Sequence, residues 1–333
     1  MELDKTLRAQ LDRGRRIGCI VLSGGSTLDH NIDPVADVAA LRDRLVQEYG
    51  LDHRPPIHVD TVNGWVWLLF RDHDFNADPL SLDPSVIAVC ERARDQIAEL
   101  RHADSFAADF HKTGLCPYAT SMYVCKNAAE LRSLHRVDVD DGRDESFGDV
   151  HAHHMTLENS RPANGVVSAW AMLAKLGSSG LRRYVAMLMT QGLYLRDRAA
   201  QHYPEHFEVL NTHANFHATV VLLRLVSPML DFDDLLSDDE ARHMHNRLAH
   251  AFFRWLDVEQ PGIAPLIGIV PRYRVERTGK PITAFLLYPM SPELDRERCD
   301  RLLEELIAGK RMFLGMYARR PAPHIAASPP PPR

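Results

Sequence analysis

Strand-length apolar runs alternate with amphipathic helical segments through the first part of the chain. IGCIVLSGG, at positions 17–25, is a continuous apolar run that ends in glycines, a pattern typical of a buried strand followed by a tight loop. Further strand candidates are PIHVDTV, SFAADF and SMYVCKN, and apolar residues at helical spacing fill VADVAALRDRLVQEYG and DPSVIAVCERARDQIAEL. This alternation predicts an α/β domain built on a mostly parallel sheet.

The pattern changes in the second part of the chain. Helical spacing extends from about position 164 to 176 and resumes after Gly180 to about 202. Three strand candidates and two amphipathic helices then follow in the order FEVLNTH, ATVVLLRLV, DDEARHMHNRLAHAFFRWLD, ITAFLLYPM and DRERCDRLLEELIAGK. Two helices on one face of a small antiparallel sheet explain this order, so we expect a second, α+β domain.

These elements divide the sequence into four segments. We expect a large domain over residues 1–156, connecting helices over 157–204, a small C-terminal domain over 205–318 and a disordered proline-rich tail over 319–333. Residues 133–155 are polar, rich in Asp and His and without periodicity, which predicts a long loop. Long loops inside compact domains are usually functional or disordered.

Composition narrows the classes of partner. A formal net charge of -6 leaves no basic field for phosphate backbones, so we expect no nucleic-acid partner. No stretch approaches the roughly 20 apolar residues of a spanning helix, and the first residues lack a signal-peptide core. We therefore expect no membrane partner and a cytoplasmic location. The five cysteines are widely spaced without a CxxC pair, which argues against a disulfide framework and a structural zinc site.

Lysines are scarce, and one of them has an unusual context. Lys112 follows an apolar strand, lies beside His111 and precedes Thr113-Gly114. Ligands bind at strand ends in open α/β sheets, and a lysine there can attack carbonyl groups if burial lowers its pKa. A solvated strand-end lysine explains the same residues, so the context alone leaves both interpretations open.

Four motifs occur in a characteristic order along the chain: SGGSTLDHNIDPV, HVDTVNGW, ADSFAADFHKTGLCPYATSMYV and TLENSRPANGVVSAWAMLAKLG. Together they resemble the group II pyridoxal-phosphate-dependent amino acid decarboxylases of fold type I. The similarity continues through FEVLNTHANFHATVVLLRLV and GKPITAFLLYPMSP, and so covers nearly the whole chain. The resemblance implies an incomplete fold type I large domain followed by the small α+β domain, pyridoxal 5′-phosphate as cofactor, and release of CO2 from an L-amino acid.

The resemblance also implies roles for individual residues. Lys112, in DFHK, matches the lysine that binds the cofactor covalently, and His111 matches a histidine beside the cofactor. Asp60 matches the aspartate that pairs with the pyridine nitrogen, where a carboxylate keeps the ring protonated and therefore a strong electron sink. Thr27 matches the second threonine of a loop next to the cofactor. A loop or cap aspartate is the structural alternative for Asp60.

The sequence departs from the family pattern at two places. The family has two alanines after the aspartate, the second packed against the pyridine ring, whereas Thr61 and the bulkier Val62 stand here. The family also uses a loop tyrosine to protonate the carbanion, but no tyrosine occurs between Asn127 and Ser160. Phe147 rather than a tyrosine lies in that loop, so an aldehyde-forming oxidative decarboxylase is an alternative activity.

Three histidines occupy the loop instead of the tyrosine. His151, His153 and His154 are candidate proton donors, because an imidazole with a pKa near 6.5 delivers protons at neutral pH. Solvated loop histidines are the structural alternative. A zinc site is a third interpretation, but the cluster lacks an acidic or cysteine ligand at useful spacing and a helical i, i+4 pair, so we expect no metal.

The resemblance further implies a companion subunit. In the family, the loop that holds the cofactor phosphate and the ring that stacks on the pyridine precede the region matched by this sequence. We therefore expect a split decarboxylase, in which a companion chain supplies the N-terminal half of the site and the assembly is a dimer or heterotetramer. A non-catalytic pseudoenzyme that pairs with a full-length relative and a misplaced start codon are the alternatives. The sequence does not identify the amino acid substrate.

Overall fold

A computed structural model describes residues 2–77, 80–127, 162–214, 216–226, 230–259, 262, 267–275, 277–288 and 290–317. The chain forms two compact units. The first unit comprises residues 1–190 with 214–216, and the second comprises residues 191–213 with 217–333. None of the described helices is long and apolar enough to cross a membrane.

The first unit is built on a four-stranded sheet with the order β1-β2-β3-β4. Its strands are β1 (Ile20–Ser23), β2 (Ile57–Asp60), β3 (Ser105–Asp109) and β4 (Ser121–Cys125). Its helices are α1 (Glu2–Leu11), α2 (Val35–Tyr49), α3 (Pro84–Ile97), the short α4 (Phe110–Thr113) and the first part of α5 (Asn164–Asp197). Turns of 3-10 helix cover Gly64–Phe70 and Ala98–His102.

Three strands of this sheet are parallel, as the alternating sequence pattern predicts. β1 pairs with β2 and β2 with β3 in parallel, whereas β4 returns antiparallel to β3. The connection from β1 to β2 runs through α2, and the connection from β2 to β3 runs through α3. Leu22, Ile57 and Val59 are buried on the face that the helices cover, whereas Val21 on the opposite face is 65% exposed. The carboxyl ends of β1, β2 and β3 therefore lie at one edge.

α5 contains the break that the sequence predicts near its middle. Gly177 has φ of 60° and ψ of -176°, a conformation outside the helical region that glycine adopts without steric cost. Helix geometry resumes after it and ends in a π-helical turn over Arg198–His202. The two predicted helices are thus two halves of one element.

The second unit is an antiparallel sheet with the order β5-β6-β8-β7 and covering helices. Its strands are β5 (Phe207–Val209), β6 (Thr219–Leu223), β7 (Ile267–Arg274) and β8 (Pro281–Leu287). Its helices after α5 are α6 (Phe232–Ser237), α7 (Asp239–Glu259) and α8 (Arg296–Tyr317). One core packs both long helices on the sheet through Phe252, Leu256, Phe285, Leu303 and Phe313.

The sequence analysis missed β7 and α6. Pro271 interrupts β7, and prolines are confined to edge strands and bulges because they donate no ladder hydrogen bond. β7 is an edge strand, and its register with β8 shifts between Val270 and Tyr273. The short α6 begins at the cap residue Asp231, whose side chain accepts a hydrogen bond from the Asp234 N–H.

Candidate active site

The carboxyl ends of β2 and β3 bring two of the predicted site residues to the same edge of the sheet. Asp60 is the last residue of β2 and pairs in register with Ala107 of β3. β3 ends two residues later at Asp109, and α4 begins at once and carries Lys112. Since β2 and β3 are adjacent and parallel, Lys112 and Asp60 lie at the same edge of the sheet, where ligands bind in open α/β folds.

The glycine-rich loop after β1 packs directly on the segment that follows Asp60. The Gly24 N–H donates to the Asp60 carbonyl at 2.7 Å, and the Asn63 side chain donates to the Gly25 carbonyl at 3.3 Å. A Cβ placed on Gly64 would lie 1.8 Å from the Gly24 carbonyl oxygen, so only glycine permits this approach. The loop carries Thr27, which is exposed, to the same edge.

The carboxylate of Asp60 lies at this edge and makes few polar contacts. Its Oδ1 accepts a hydrogen bond from the Val62 N–H at 3.1 Å, which is a common aspartate turn contact. Among the described residues, its carboxylate makes no ion pair. Asp60 is exposed and Val62 is half-buried. The carboxylate is therefore open to a cationic or N–H donor partner.

Lys112 lies above the end of β3 in contact with a second carboxylate. Its Nζ is 3.4 Å from Asp109 Oδ2, and its side chain is 29% exposed, compared with 12% for Asp109. Three residues separate the pair along α4, the spacing at which helical side chains meet. The lysine is thus held at the strand end while part of its side chain reaches solvent.

His111 is fixed from several sides. Its Nε2 lies 3.3 Å from Asp109 Oδ2, and its Nδ1 lies 3.1 Å from the backbone N–H of Thr120, which can donate to it. The ring also lies against Tyr118, with centroids 4.0 Å apart. These contacts orient the imidazole beside Lys112.

Asp109 is a site residue that sequence reasoning missed. Its carboxylate contacts both Lys112 and His111, and it is largely buried. The motif DFHK contained the signal, because an aspartate three residues before a lysine faces that lysine once a helical turn forms.

Cys116, in the loop after α4, is the other nucleophilic side chain nearby. Burial raises the pKa of its thiol. Its Sγ donates to the Gly114 carbonyl at 3.3 Å. The thiol therefore stays protonated near neutral pH.

The structure brings Lys112, His111, Asp60, Val62 and the Thr27 loop to one edge of the sheet. The predicted proton donors His151, His153 and His154 lie outside the described residues. An amine, two carboxylates and an imidazole are the donor set for a ligand with a carbonyl group and a basic ring nitrogen.

Comparisons with known proteins identify the family. Residues 85–226 match the family described as the pyridoxal-dependent decarboxylase conserved domain. The match includes α4 and Lys112. Pyridoxal phosphate, the cofactor implied by the sequence resemblance, is therefore confirmed as the cofactor of the family.

One curated relative and two solved structures are also similar to this chain. A probable L-aspartate decarboxylase of Archaeoglobus fulgidus is 25% identical over 166 residues, which are 50% of this chain and 36% of that protein. The crystal structure of mouse CSAD in apo form has a TM-score of 0.67 at 19% identity and covers 92% of this chain. Oryza sativa TDC with PLP and tryptamine has a TM-score of 0.62 at 15% identity, with 94% of this chain covered.

The chain spans 55% of mouse CSAD and 52% of Oryza sativa TDC, about half the length of the solved structures that it matches. These structural matches show the fold, which is the predicted fold type I arrangement of a mostly parallel sheet and a smaller antiparallel one. The family predicted from the sequence is confirmed as well: the chain is related to the group II pyridoxal-phosphate-dependent amino acid decarboxylases and has their fold.

Proposed function

We propose that this chain is the lysine-bearing subunit of a pyridoxal-phosphate-dependent enzyme that decarboxylates an L-amino acid. The observation that carries the proposal is the placement of Lys112 and Asp60 at the carboxyl ends of two adjacent parallel strands. The family match over residues 85–226 and the name of the Archaeoglobus fulgidus relative support the same reaction class.

The side chains at this edge fit the cofactor chemically. Lys112 supplies a primary amine for the aldehyde group, and the open carboxylate of Asp60 suits a protonated ring nitrogen. When bound, pyridoxal phosphate supplies an electron sink for the electron pair that remains on the α carbon after CO2 leaves.

Each residue of the edge then has a defined task. Asp60 keeps the proton on the ring nitrogen, because a carboxylate next to that nitrogen favours its charged form. Asp109 holds the amine of Lys112 and the ring of His111 at 3.4 Å and 3.3 Å, which fixes their positions relative to each other. Thr27, in the loop after β1, and Val62, in the turn after β2, would line the cofactor.

A proton must reach the α carbon after decarboxylation. We assign this step to the loop histidines His151, His153 and His154, since imidazole exchanges protons near neutral pH. Without such a proton donor, oxidation by dissolved O2 and hydrolysis would release an aldehyde, ammonia and hydrogen peroxide in place of the amine.

The first unit also carries an apolar surface suited to a partner chain. Val166 is 76%, Trp170 is 70% and Tyr118 is 75% exposed, and a Cβ on Gly165 would lie 2.7 Å from the Ala119 carbonyl oxygen. The start of α5 therefore adjoins the loop after Lys112. Large apolar patches mark association surfaces. We propose that a companion subunit covers this patch in a dimer or heterotetramer.

A matched pair of lysine variants tests the function. The chain, co-purified with any companion, is assayed for CO2 and for amine or aldehyde with a panel of L-amino acids. Lys112→Arg should remove turnover, whereas Lys126→Arg, at the end of the neighbouring β4, should retain it. Activity in Lys112→Arg equal to wild type would reject the proposal, and aldehyde as the main product would convert it to an oxidative decarboxylase.

A further inference from the structure

The core-facing side of α8 contains a lysine. Buried residues recur along the helix at the spacing of one helical face: Cys299, Leu302, Leu303, Leu306, Ile307, Lys310 and Phe313. Lys310 is only 6% exposed. It occupies a position where the helical repeat calls for an apolar side chain, and lysines are almost never buried unless they are paired.

The amine of Lys310 has one polar partner among the described residues, and that partner is neutral. Its Nζ lies 2.8 Å from His206 Nδ1. Burial and the nearby cations lower the pKa of His206, so the imidazole stays uncharged and acts as an acceptor. The pair is thus a buried amine in direct contact with a base whose side chain is 14% exposed.

The charges around this pair are predominantly positive. Arg311 lies 3.5 Å from the His206 ring, and Arg224 hydrogen-bonds through its backbone N–H to the His206 carbonyl. Within the described part of the chain, neither Lys310, Arg311 nor Arg224 has a carboxylate at ion-pair distance. Glu205, 63% exposed and 3.5 Å from His206 Nε2, is the acidic group that faces the cluster. Glu205 contacts the imidazole, so among the described residues the amine of Lys310 itself faces no carboxylate at ion-pair distance.

The same surroundings change the protonation of the lysine. Burial, with Arg311 and Arg224, lowers the pKa of Lys310 to about 8, against the opposing effect of Glu205. A sizeable fraction of its amine is therefore uncharged near neutral pH and can act as a nucleophile.

We propose that Lys310 is a carbamylation site that reacts reversibly with CO2. The lone pair of Nζ attacks the carbon of CO2, an N–C bond forms, and one C=O π bond becomes a carboxylate oxygen. Nitrogen loses one proton to His206 Nδ1, which lies 2.8 Å away and releases it to solvent beside Glu205. The net change is amine plus CO2 to carbamate anion plus one proton, without an oxidant or reductant.

The product of this reaction is an anion in surroundings that are predominantly positive. A carbamate gives Lys310 a negative charge, and the guanidinium of Arg311 lies 3.5 Å from the adjoining His206 ring. CO2 is also the product of the proposed decarboxylation, which would place the modification under feedback from turnover. The site itself needs only dissolved CO2, so it stands apart from the proposed function.

Chemical trapping tests the proposal on the full chain. The protein is equilibrated with 13C-bicarbonate at pH 8, alkylated with a trialkyloxonium salt to fix carbamates as esters, digested and mapped by mass spectrometry. Lys310 should carry the label at a level more than about tenfold above Lys280, an exposed lysine, because about half of an amine with pKa about 8 is uncharged at this pH. His206→Gln should reduce the label.

Variants and a second measurement complete the test. Lys310→Met should remove the carbamate 13C NMR signal that Lys280→Met retains. If Lys310→Met does not fold, the peptide map of the wild type decides alone. Absence of label at Lys310, equal label on Lys280, or a signal of bound bicarbonate without a covalent adduct would each overturn the proposal.

Discussion

The titratable groups at the candidate site of the first unit and those in the core of the second unit differ in their exposure to solvent. In the first unit, Asp60 and Lys112 stand at open strand ends, where both side chains reach solvent. In the second unit, His245 and Lys310 lie inside the core, and burial lowers the pKa of His245 to about 4 and that of Lys310 to about 8. An open edge leaves charged groups available for a ligand, whereas a closed core changes their protonation.

Replacement of Asp60 tests most directly whether the open edge of the first unit takes part in catalysis. Asp60→Ala should lower turnover on the order of a hundredfold or more, since each loss of about 1.4 kcal/mol in barrier lowering costs tenfold in rate. Cofactor attachment through Lys112 should persist. Asp72→Ala, which removes an exposed carboxylate paired with Arg71, is the matched control. Steady-state kinetics check this, and near-normal turnover in Asp60→Ala would remove Asp60 from the mechanism.

The sheet of the first unit has its own buried charge, away from the site. Arg42 is 1% exposed and pairs with Asp104 at 2.8 Å, and the same carboxylate accepts the Ile57 N–H at the start of β2. Asp104→Asn should lower the free energy of unfolding by about 3 kcal/mol, because it removes one of the two carboxylates that pair with the buried guanidinium and leaves only Asp43, at 2.9 Å. Denaturant unfolding measures this loss. Asp95→Asn, at an exposed ion pair, should cost less than about 1 kcal/mol.

A buried histidine in the core of the second unit should make the free energy of unfolding fall at low pH. His245 is fully buried, its Nε2 lies 2.9 Å from the Thr283 carbonyl, and burial lowers its pKa to about 4. In the unfolded chain a histidine binds its proton near pH 6.5. Stability from this residue is therefore complete above about pH 6.5 and falls, by about 3 kcal/mol, as the pH drops towards 4.

Unfolding curves across this pH range check the effect. His245→Gln retains a hydrogen-bond donor for the Thr283 carbonyl but does not titrate, so its stability should decline less steeply with acid. His243→Gln, exposed on the same helix, should follow the wild-type curve. An unchanged slope in His245→Gln would show that the buried imidazole does not govern the acid response.

The smallest expected effect concerns the apolar surface of the first unit. Trp170→Glu should weaken association with a companion or second copy by about 2 kcal/mol, because buried tryptophans dominate interface energies. Val258→Glu, at a residue of the second unit that is 73% exposed, serves as the control. Analytical ultracentrifugation compares the two variants. Equal dissociation constants for both would place the interface elsewhere.

Local patterns predicted most of what positions the site. The order of strand, lysine and turn in DFHKTG placed Lys112 directly after β3, and the strand candidate PIHVDTV contains β2, which ends at Asp60. These predictions succeed because a buried strand has a clear apolar signature and its end fixes the next residues. The break at Gly177 was equally visible, since glycine interrupts helical spacing.

Features that depend on distant contacts were not visible. The apolar run GWVWLLF forms a 3-10 helix, although runs of this length often form buried strands. The burial of Lys310 depends on its packing beside His206, which is distant in the chain. Periodicity describes one element at a time and gives no information on such pairings.

The central claim is that Lys112 binds the cofactor at the open edge of the first unit. The direct measurement is borohydride reduction of the assembled protein with pyridoxal phosphate, followed by peptide mapping. The account predicts a pyridoxyl group on Lys112 and an unmodified Lys126 at the end of β4. Label on Lys126, or no label on Lys112 in an assembly that binds the cofactor, would contradict it.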